Sequence, residues 1–241
     1  MRRGTRDADG VTGSGHGQYC PVASAADVLG DRWTLLILRE MVGGATRFNE
    51  IERCLPKVSR TLLTQRLRHL VRIGLLDARP LPGGRGHEYR LTEAGRDLQP
   101  VLIAMGEWAV RWIFGDPRPE ELDATFILFW MHRRVNLDRL PPGRTVMRFD
   151  ITGAEREVYW LVLQPDETSV CSTDPGFEVR VRVEADDLEL HRVFGGRTTW
   201  ADAVKAGSIT VQGPRELTRQ IPDWFAWSPF YESVRAHMAS G

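Results

Sequence analysis

The chain has 241 residues, 42% of them hydrophobic, with 32 basic and 32 acidic side chains and no formal net charge. That length suits two modest domains, and that apolar content is enough for real cores. Cys20, Cys54 and Cys171 are too few and too scattered for a disulfide framework or a zinc site, and the apolar run at 126–131 is far too short to span a bilayer.

The N-terminal stretch MRRGTRDADGVTGSGHGQ has two arginines but no apolar segment behind them, so no signal peptide is expected and a reducing cytoplasm fits. Residues 1–17 are polar and Gly-rich and read as a disordered tail. Val22, Ala25, Ala26 and Leu29 repeat at helical spacing and stop at Gly30. Trp33, Leu36, Ile37, Glu40 and Met41 continue in a second helix, closed by Gly43 and Gly44. Phe48, Ile51 and Leu55 mark a third, ended before Pro56, and 59–73 is a fourth, stopped by Gly74. Residues 75–81 and 87–91 read as two short strands joined by the turn at 82–86. One long helix is then expected over 92–113, and Gly115, Asp116, Pro117, Arg118 and Pro119 form the clearest linker, placed at 116–120. Beyond it the pattern changes to a helix over 122–135, then strands at 145–151, 157–163, 168–172 and 178–184. In the last, Val179, Val181 and Val183 face one way and Glu178, Arg180, Arg182 and Glu184 the other, as in an antiparallel strand with one wet face. Helices follow at 187–193, 200–206 and 214–224, with a strand at 209–212 among them.

Charge is unevenly placed. Residues 18–115 carry 14 basic and 10 acidic side chains, a net of +4, and residues 117–241 carry 15 and 19, a net of −4. Within 57–90 there are eight basic residues (Lys57, Arg60, Arg66, Arg68, Arg72, Arg79, Arg85, Arg90) against Asp77 and Glu88. Only this first segment is prepared for a polyanion. Wound as a helix, 59–73 places Leu63, Leu67, Leu70 and Ile73 on one side and Thr61, Thr64, Gln65, Arg68 and Arg72 on the other. Hydroxyls, an amide and guanidiniums are the groups that hydrogen-bond base edges and phosphates. Ser59 is an N-cap residue, Arg60 stands near a phosphate-reaching first turn, and Arg79, Arg85 and His87 fall on the wing. Arg66 lies on the apolar side and is read as a partner for an acid in the preceding helices. The plain alternative is a solvated face on an ordinary amphipathic helix. The preceding helix, the tight turn and the basic hairpin together favour DNA.

Cys20-Pro21-Val22, Gly30-Asp31-Arg32-Trp33, Arg47-Phe48-Asn49-Glu50-Ile51, the segment 62–75 and Tyr89-Arg90-Leu91-Thr92 together resemble the HxlR family, bacterial winged helix-turn-helix transcription regulators related to the MarR group. The resemblance covers about 19–115. It implies a DNA-binding and dimerisation domain over 18–115, double-stranded operator DNA as partner, a homodimer, and 59–73 as the recognition helix. It further implies a dimer interface from the first helix and the helix ending near Phe114, which fits the apolar cluster Trp108, Trp112, Ile113 and Phe114. Cys20 falls where some members of the family sense oxidants or electrophiles. A structural thiol is the favoured reading, since no basic residue adjoins it in the sequence.

Residues 121–238 resemble, more loosely, the sterol carrier protein type 2 fold, through 145–150, Tyr159-Trp160-Leu161-Val162-Leu163, Asp174-Pro175-Gly176-Phe177 and 200–213. That implies an α+β protein whose winged helix-turn-helix domain is followed by a mixed α/β, sterol-carrier-like domain, with a small apolar ligand in the second. Walker, Rossmann, nucleophile-elbow and His-Glu-x-x-His patterns are absent. No catalytic residue, metal or cofactor is therefore expected, and no membrane partner. The leading expectation is a ligand-controlled transcription regulator. The alternatives are a thiol-based sensor acting through Cys20 and, in another class, a lipid carrier whose basic helical domain is only a scaffold.

Overall fold

A computed structural model describes residues 17–83, 86–153 and 156–240. By its internal contacts the chain divides into two compact units, the first ending at Leu102 and the second beginning at Ile103.

The first unit follows the sequence periodicities closely. Helices α1 (Pro21–Leu29), α2 (Arg32–Val42), α3 (Phe48–Cys54) and α4 (Arg60–Arg72) precede the antiparallel strands β1 (Leu76–Pro80) and β2 (His87–Leu91). Ile37, Leu38, Met41, Ile51, Leu63, Leu67, Leu70 and Leu76 form one core. Gly74 takes φ +77°, open to glycine at no steric cost, and the reversal lets the Leu75 N–H donate to the Leu70 carbonyl at 3.0 Å. The helix expected over 92–113 is broken in two, α5 (Glu93–Arg96) and α6 (Gln99–Trp112). Pro100 explains the break, because a proline fits the first turn of a helix but not its interior.

Arg66 sits where its apolar-side placement required an acid. Its Nη2 lies 2.8 Å from Asp31 Oδ2, each side chain about one-third exposed. Asp31 also caps α2, accepting from the Trp33 and Thr34 N–H groups at 3.0 and 3.3 Å. One carboxylate therefore starts α2 and ties it to the middle of α4.

The second unit contains α7 (Ala124–Arg133), β3 (Thr145–Thr152), β4 (Glu157–Leu163), β5 (Thr168–Cys171), β6 (Val181–Asp186), α8 (Asp187–Gly195), α9 (Trp200–Ala206), β7 (Ile209–Gln212), α10 (Arg215–Thr218), α11 (Ile221–Trp224) and α12 (Tyr231–Ser240). The five strands lie in the order β5-β4-β3-β6-β7. β6 begins three residues later than expected and pairs parallel with β3 and antiparallel with β7, so it is not the simple antiparallel strand the alternation suggested. Alternation reports which face is wet, and only the connection between strands decides direction. Here β5 and β6 are joined by a long crossing segment, 172–180. The helical stretch expected over 214–224 is two short helices, with Pro222 at the start of the second. Helix α12 was missed altogether; its apolar repeat is weak, and Val234 is its one buried residue.

Met147, Phe149, Ile151, Leu161, Leu163, Val181 and Val183 share the buried face of this sheet, with α7 packed against β4 and β5. On the opposite face Asp150, only 2% exposed, accepts from Arg148 Nε and Nη2 at 2.9 and 2.7 Å and has Arg156 and Arg182 within 3.4 and 3.7 Å. Burial works against its charge, but the Arg148 hydrogen bonds and the neighbouring guanidiniums outweigh it and hold the carboxyl below its ordinary value.

Asp31→Ala removes the α2 cap and the Arg66 partner together. We expect the first unit to lose about 1–2 kcal/mol in urea titrations, mostly from the cap. Asp31→Asn keeps a capping acceptor and is expected to lose less; equal losses would show that the ion pair dominates.

Candidate nucleic-acid interface

α3 and α4 are joined by a five-residue turn in which Ser59 Oγ accepts from the Leu62 N–H at 3.2 Å and opens α4. Leu63, Leu67 and Leu70 are fully buried. Their seam forces Thr61, Gln65, Arg68 and Arg72 to the exposed side, with Thr64 half-buried at its margin. The residues expected to meet a duplex on this helix therefore share one accessible face. Two of them carry local commitments. Thr64 Oγ1 donates back to the Arg60 carbonyl at 2.8 Å, leaving its lone pairs and methyl for a base edge. Arg60 is bound to Glu52 of α3 at 2.7 Å and lies over the Phe48 ring, 5.0 Å from its centroid. Its charge is partly answered within the protein.

At the far end of α4, Arg72 Nη2 donates to His69 Nδ1 at 2.9 Å, which requires a neutral imidazole with that nitrogen unprotonated. Burial, then the Arg72 and Arg66 charges, push the His69 pKa below its ordinary value of 6.5.

The wing is built from β1 and β2, and it has a third edge that sequence reading missed. The Tyr89 N–H donates to the Thr46 carbonyl at 2.7 Å, and Arg47 forms a bridge with Glu88. The exposed Arg47 thus stands beside the hairpin, although in sequence it belongs to the start of α3. The clue available was Glu50, whose carboxylate accepts from the Thr46 and Arg47 N–H groups at 2.8 and 3.0 Å and fixes that entry. Arg79 is exposed opposite Glu88, and His87 is exposed beside Tyr89 with ring centroids 6.3 Å apart. Arg90 is paired with Glu88 at 3.0 Å. Arg85, expected at the wing tip, and most of the tail at 1–17 lie outside the described residues.

The exposed side of α4 and the edge of the wing thus present hydroxyl, amide and guanidinium groups on a rigid scaffold. An HxlR-like helix-turn-helix family model matches residues 28–116. HTH-type transcriptional regulators of Bacillus subtilis align over the same part. YvaP is 37% identical over 98 residues, 40% of this chain and 91% of that protein; YdeP is 35% identical over 96 residues, 39% of this chain and 73% of that protein. The chain belongs to the HxlR-like helix-turn-helix family. An uncharacterized HTH-type transcriptional regulator of Mycobacterium tuberculosis is 45% identical over 100 residues, 41% of this chain; the alignment spans 61% of that relative's length. Among solved structures, the reduced form of the B. subtilis transcriptional regulator YodB is 35% identical, covering 40% of this chain and 96% of that one, with a TM-score of 0.36. The family match ends at residue 116, so most of the second unit lies beyond it.

Of the cluster at the end of α6, Trp108 and Trp112 are 57% and 67% exposed and lie on one side with Val101 and Met105. Ile113 and Phe114 follow the last helical residue. Phe114 is 50% exposed; its carbonyl accepts from Arg197 Nη2 at 2.6 Å and the same guanidinium stands over its ring at 5.6 Å. Cys20 is half-buried at the N-cap of α1, Cys54 is buried in the first unit, and no described helix is long and apolar enough to cross a membrane.

The lowered His69 pKa makes a sign-definite forecast. In the unfolded chain the ring takes up a proton near its ordinary pKa of 6.5, whereas the folded ring resists until lower pH. The stabilisation from neutral His69 is therefore present above pH 6.5 and is lost as pH falls through the window below it. We expect the urea midpoint of the first unit to fall more steeply with acidification in the wild type than in His69→Gln; parallel profiles would contradict this.

Proposed function

We propose that this chain is a transcription regulator that binds double-stranded operator DNA as a homodimer, reading bases with Thr61, Thr64, Gln65 and Arg68 and holding the backbone with Ser59, Arg60, Arg72 and the wing. The observation that carries the reading is the exposed polar and cationic face of α4, forced outward by the Leu63–Leu67–Leu70 seam. Membership of the HxlR-like family supports it. A second copy of this chain is the natural cover for the stripe Val101, Met105, Trp108 and Trp112, which a soluble monomer would leave in water. The second unit is read as the sensor for a small apolar ligand. Its mixed five-stranded sheet, packed on one face by α7, supports the sterol-carrier-like reading. A ligand there controls DNA binding only if it binds the DNA-competent and incompetent states with different affinity. The alternative sensor is Cys20, a half-buried thiol at the start of α1.

Gln65→Ala and Arg68→Ala are expected to weaken binding to a selected operator by roughly 1–3 kcal/mol each, with Gln65→Ala changing non-specific binding less. Gel-shift titrations at fixed salt check this; unchanged affinity in both variants overturns the assignment of α4. Wild-type binding should weaken steeply with salt as counterions are released, which a lipid carrier with a scaffold domain would not show. Sedimentation at micromolar concentration should give a dimer, and Trp108→Glu with Trp112→Glu a monomer of lower operator affinity. In a Cys20→Ser protein, apolar metabolites should still release the operator. Oxidant release that disappears in that variant, with no apolar compound active, would favour the thiol.

A further inference from the structure

Helix α6 belongs to both units. Its first turn contributes Leu102 to the core of the first, and from Ile103 onward it packs with the second. At 100° per residue, Val101, Met105, Trp108 and Trp112 lie on one side and Gly106 and Val110 on the opposite side. The front is exposed; on the back Val110 is buried. The reason is α12. The Phe230 ring lies so close to Gly106 that a Cβ there would fall inside the ring's van der Waals shell, with Cζ, Cε1 and Cε2 its three nearest atoms. One helical position on, Ser233 Oγ donates to Glu107 Oε1 at 2.7 Å. Beside this contact a cleft of about 310 Å³ is lined by Glu107, Val110 and Arg111 from α6 and Ala236, His237 and Ser240 from α12.

Phe230 is itself presented from a fixed support. Its N–H donates to Ser228 Oγ at 3.2 Å, the Ser228 N–H donates to the Phe194 carbonyl at 3.1 Å, and Gly196, at φ +88°, leaves room for the backbone of Tyr231. Just past α6, Asp116 is gripped by Arg192 Nη2 at 2.5 Å and Nε at 3.2 Å, and the Arg192 hydrogen bond holds that carboxyl below its ordinary pKa. A glycine in a helix interior costs conformational entropy and offers no side chain to pack. At position 106 it is what admits the ring.

We propose that Phe230, seated on Gly106, and Ser233, bonded to Glu107, are positioning residues for operator recognition, holding α6 from behind so that the two DNA-reading helices of the dimer keep one spacing. This rests on the DNA-binding dimer reading above. Loosening the back of α6 leaves the base-contacting side chains intact and broadens the range of half-site separations the dimer accepts.

The test begins with duplexes selected from a random library by the full-length wild type. Failure to select any sequence overturns the DNA-binding reading, and this proposal with it. With a selected operator, affinity is measured at native spacing and with one base pair inserted between half-sites, for wild type, Phe230→Ala, Gly106→Ala, Ser233→Ala and the Gly106→Ala/Phe230→Ala double variant. Phe230→Ala and Gly106→Ala are expected to lose about 5- to 10-fold at native spacing, within the usual range for coupling between distant sites, and to discriminate less against the inserted base pair. In the double variant the methyl has room, so it should behave as Phe230→Ala alone. A purely structural role would lower the second unit's unfolding midpoint while leaving spacing discrimination unchanged, and that result overturns the proposal. So does a Gly106→Ala cost that persists undiminished without the ring. If Phe230→Ala unfolds the second unit, as near-ultraviolet circular dichroism would report, Gly106→Ala and Ser233→Ala decide by the same spacing readout.

Discussion

The outward face of α4 depends on an inward one. Leu63, Leu67 and Leu70 are withdrawn from water completely, and burying side chains of that size is worth roughly 1.5–3 kcal/mol each. No surface hydrogen bond competes with that, so the helix has one rotational setting, and Thr61, Gln65, Arg68 and Arg72 have no other place to point. Specificity needs side chains held on a rigid element. The rigidity here comes from three leucines and from the Asp31 carboxylate, which reaches α4 through Arg66 while starting α2.

Much of the first unit was legible in the sequence because its signals are local. Helical spacing, the Ser59 cap and Gly74 each act within a few residues, and all three appear where expected. That Arg66 faces an acid was legible from its helix position alone, since a guanidinium on an apolar face needs a counter-charge, although which acid was not. The available positive charge was less legible. Arg60, Arg66 and Arg90 look equivalent to Arg68 in a count, but each faces a carboxylate, of Glu52, Asp31 and Glu88 respectively. The fold brings Glu52 to Arg60 and Asp31 to Arg66, whereas Glu88 stands only two residues before Arg90.

The second unit was read less well because what defines it is long-range. Within β6 the alternation holds, Val181 and Val183 buried and Arg182 and Glu184 exposed, but Val179 precedes the strand and packs with Val146, Trp160 and Val162 on the other face. Strand direction, too, follows from a crossing segment that has no periodicity of its own. Breaks at Pro100 and Pro222 were visible as prolines and passed over inside otherwise convincing apolar repeats. Helix α12 carries almost no amphipathic signal: Val234 is its one buried residue, and it packs against α8 while Ser233 bonds Glu107 of α6. The aromatic-rich end of α6 was visible, but the Arg197 guanidinium over the Phe114 ring was not.

The contact between Phe230 and Gly106 also has a place in time. Glu107 and Ser233, bonded beside it, are 126 residues apart in the chain. At about 5–20 residues per second, a ribosome takes on the order of ten seconds to make that stretch. For that interval the middle of α6 has neither a Cβ at 106 nor the ring that replaces it. The local contacts of the first unit can form early, while the second half of α6 must wait for residues synthesised long afterwards. Throughout that wait Trp108 and Trp112 are already made while Phe230 and Ser233, which meet Gly106 and Glu107 on the other side of the helix, are not.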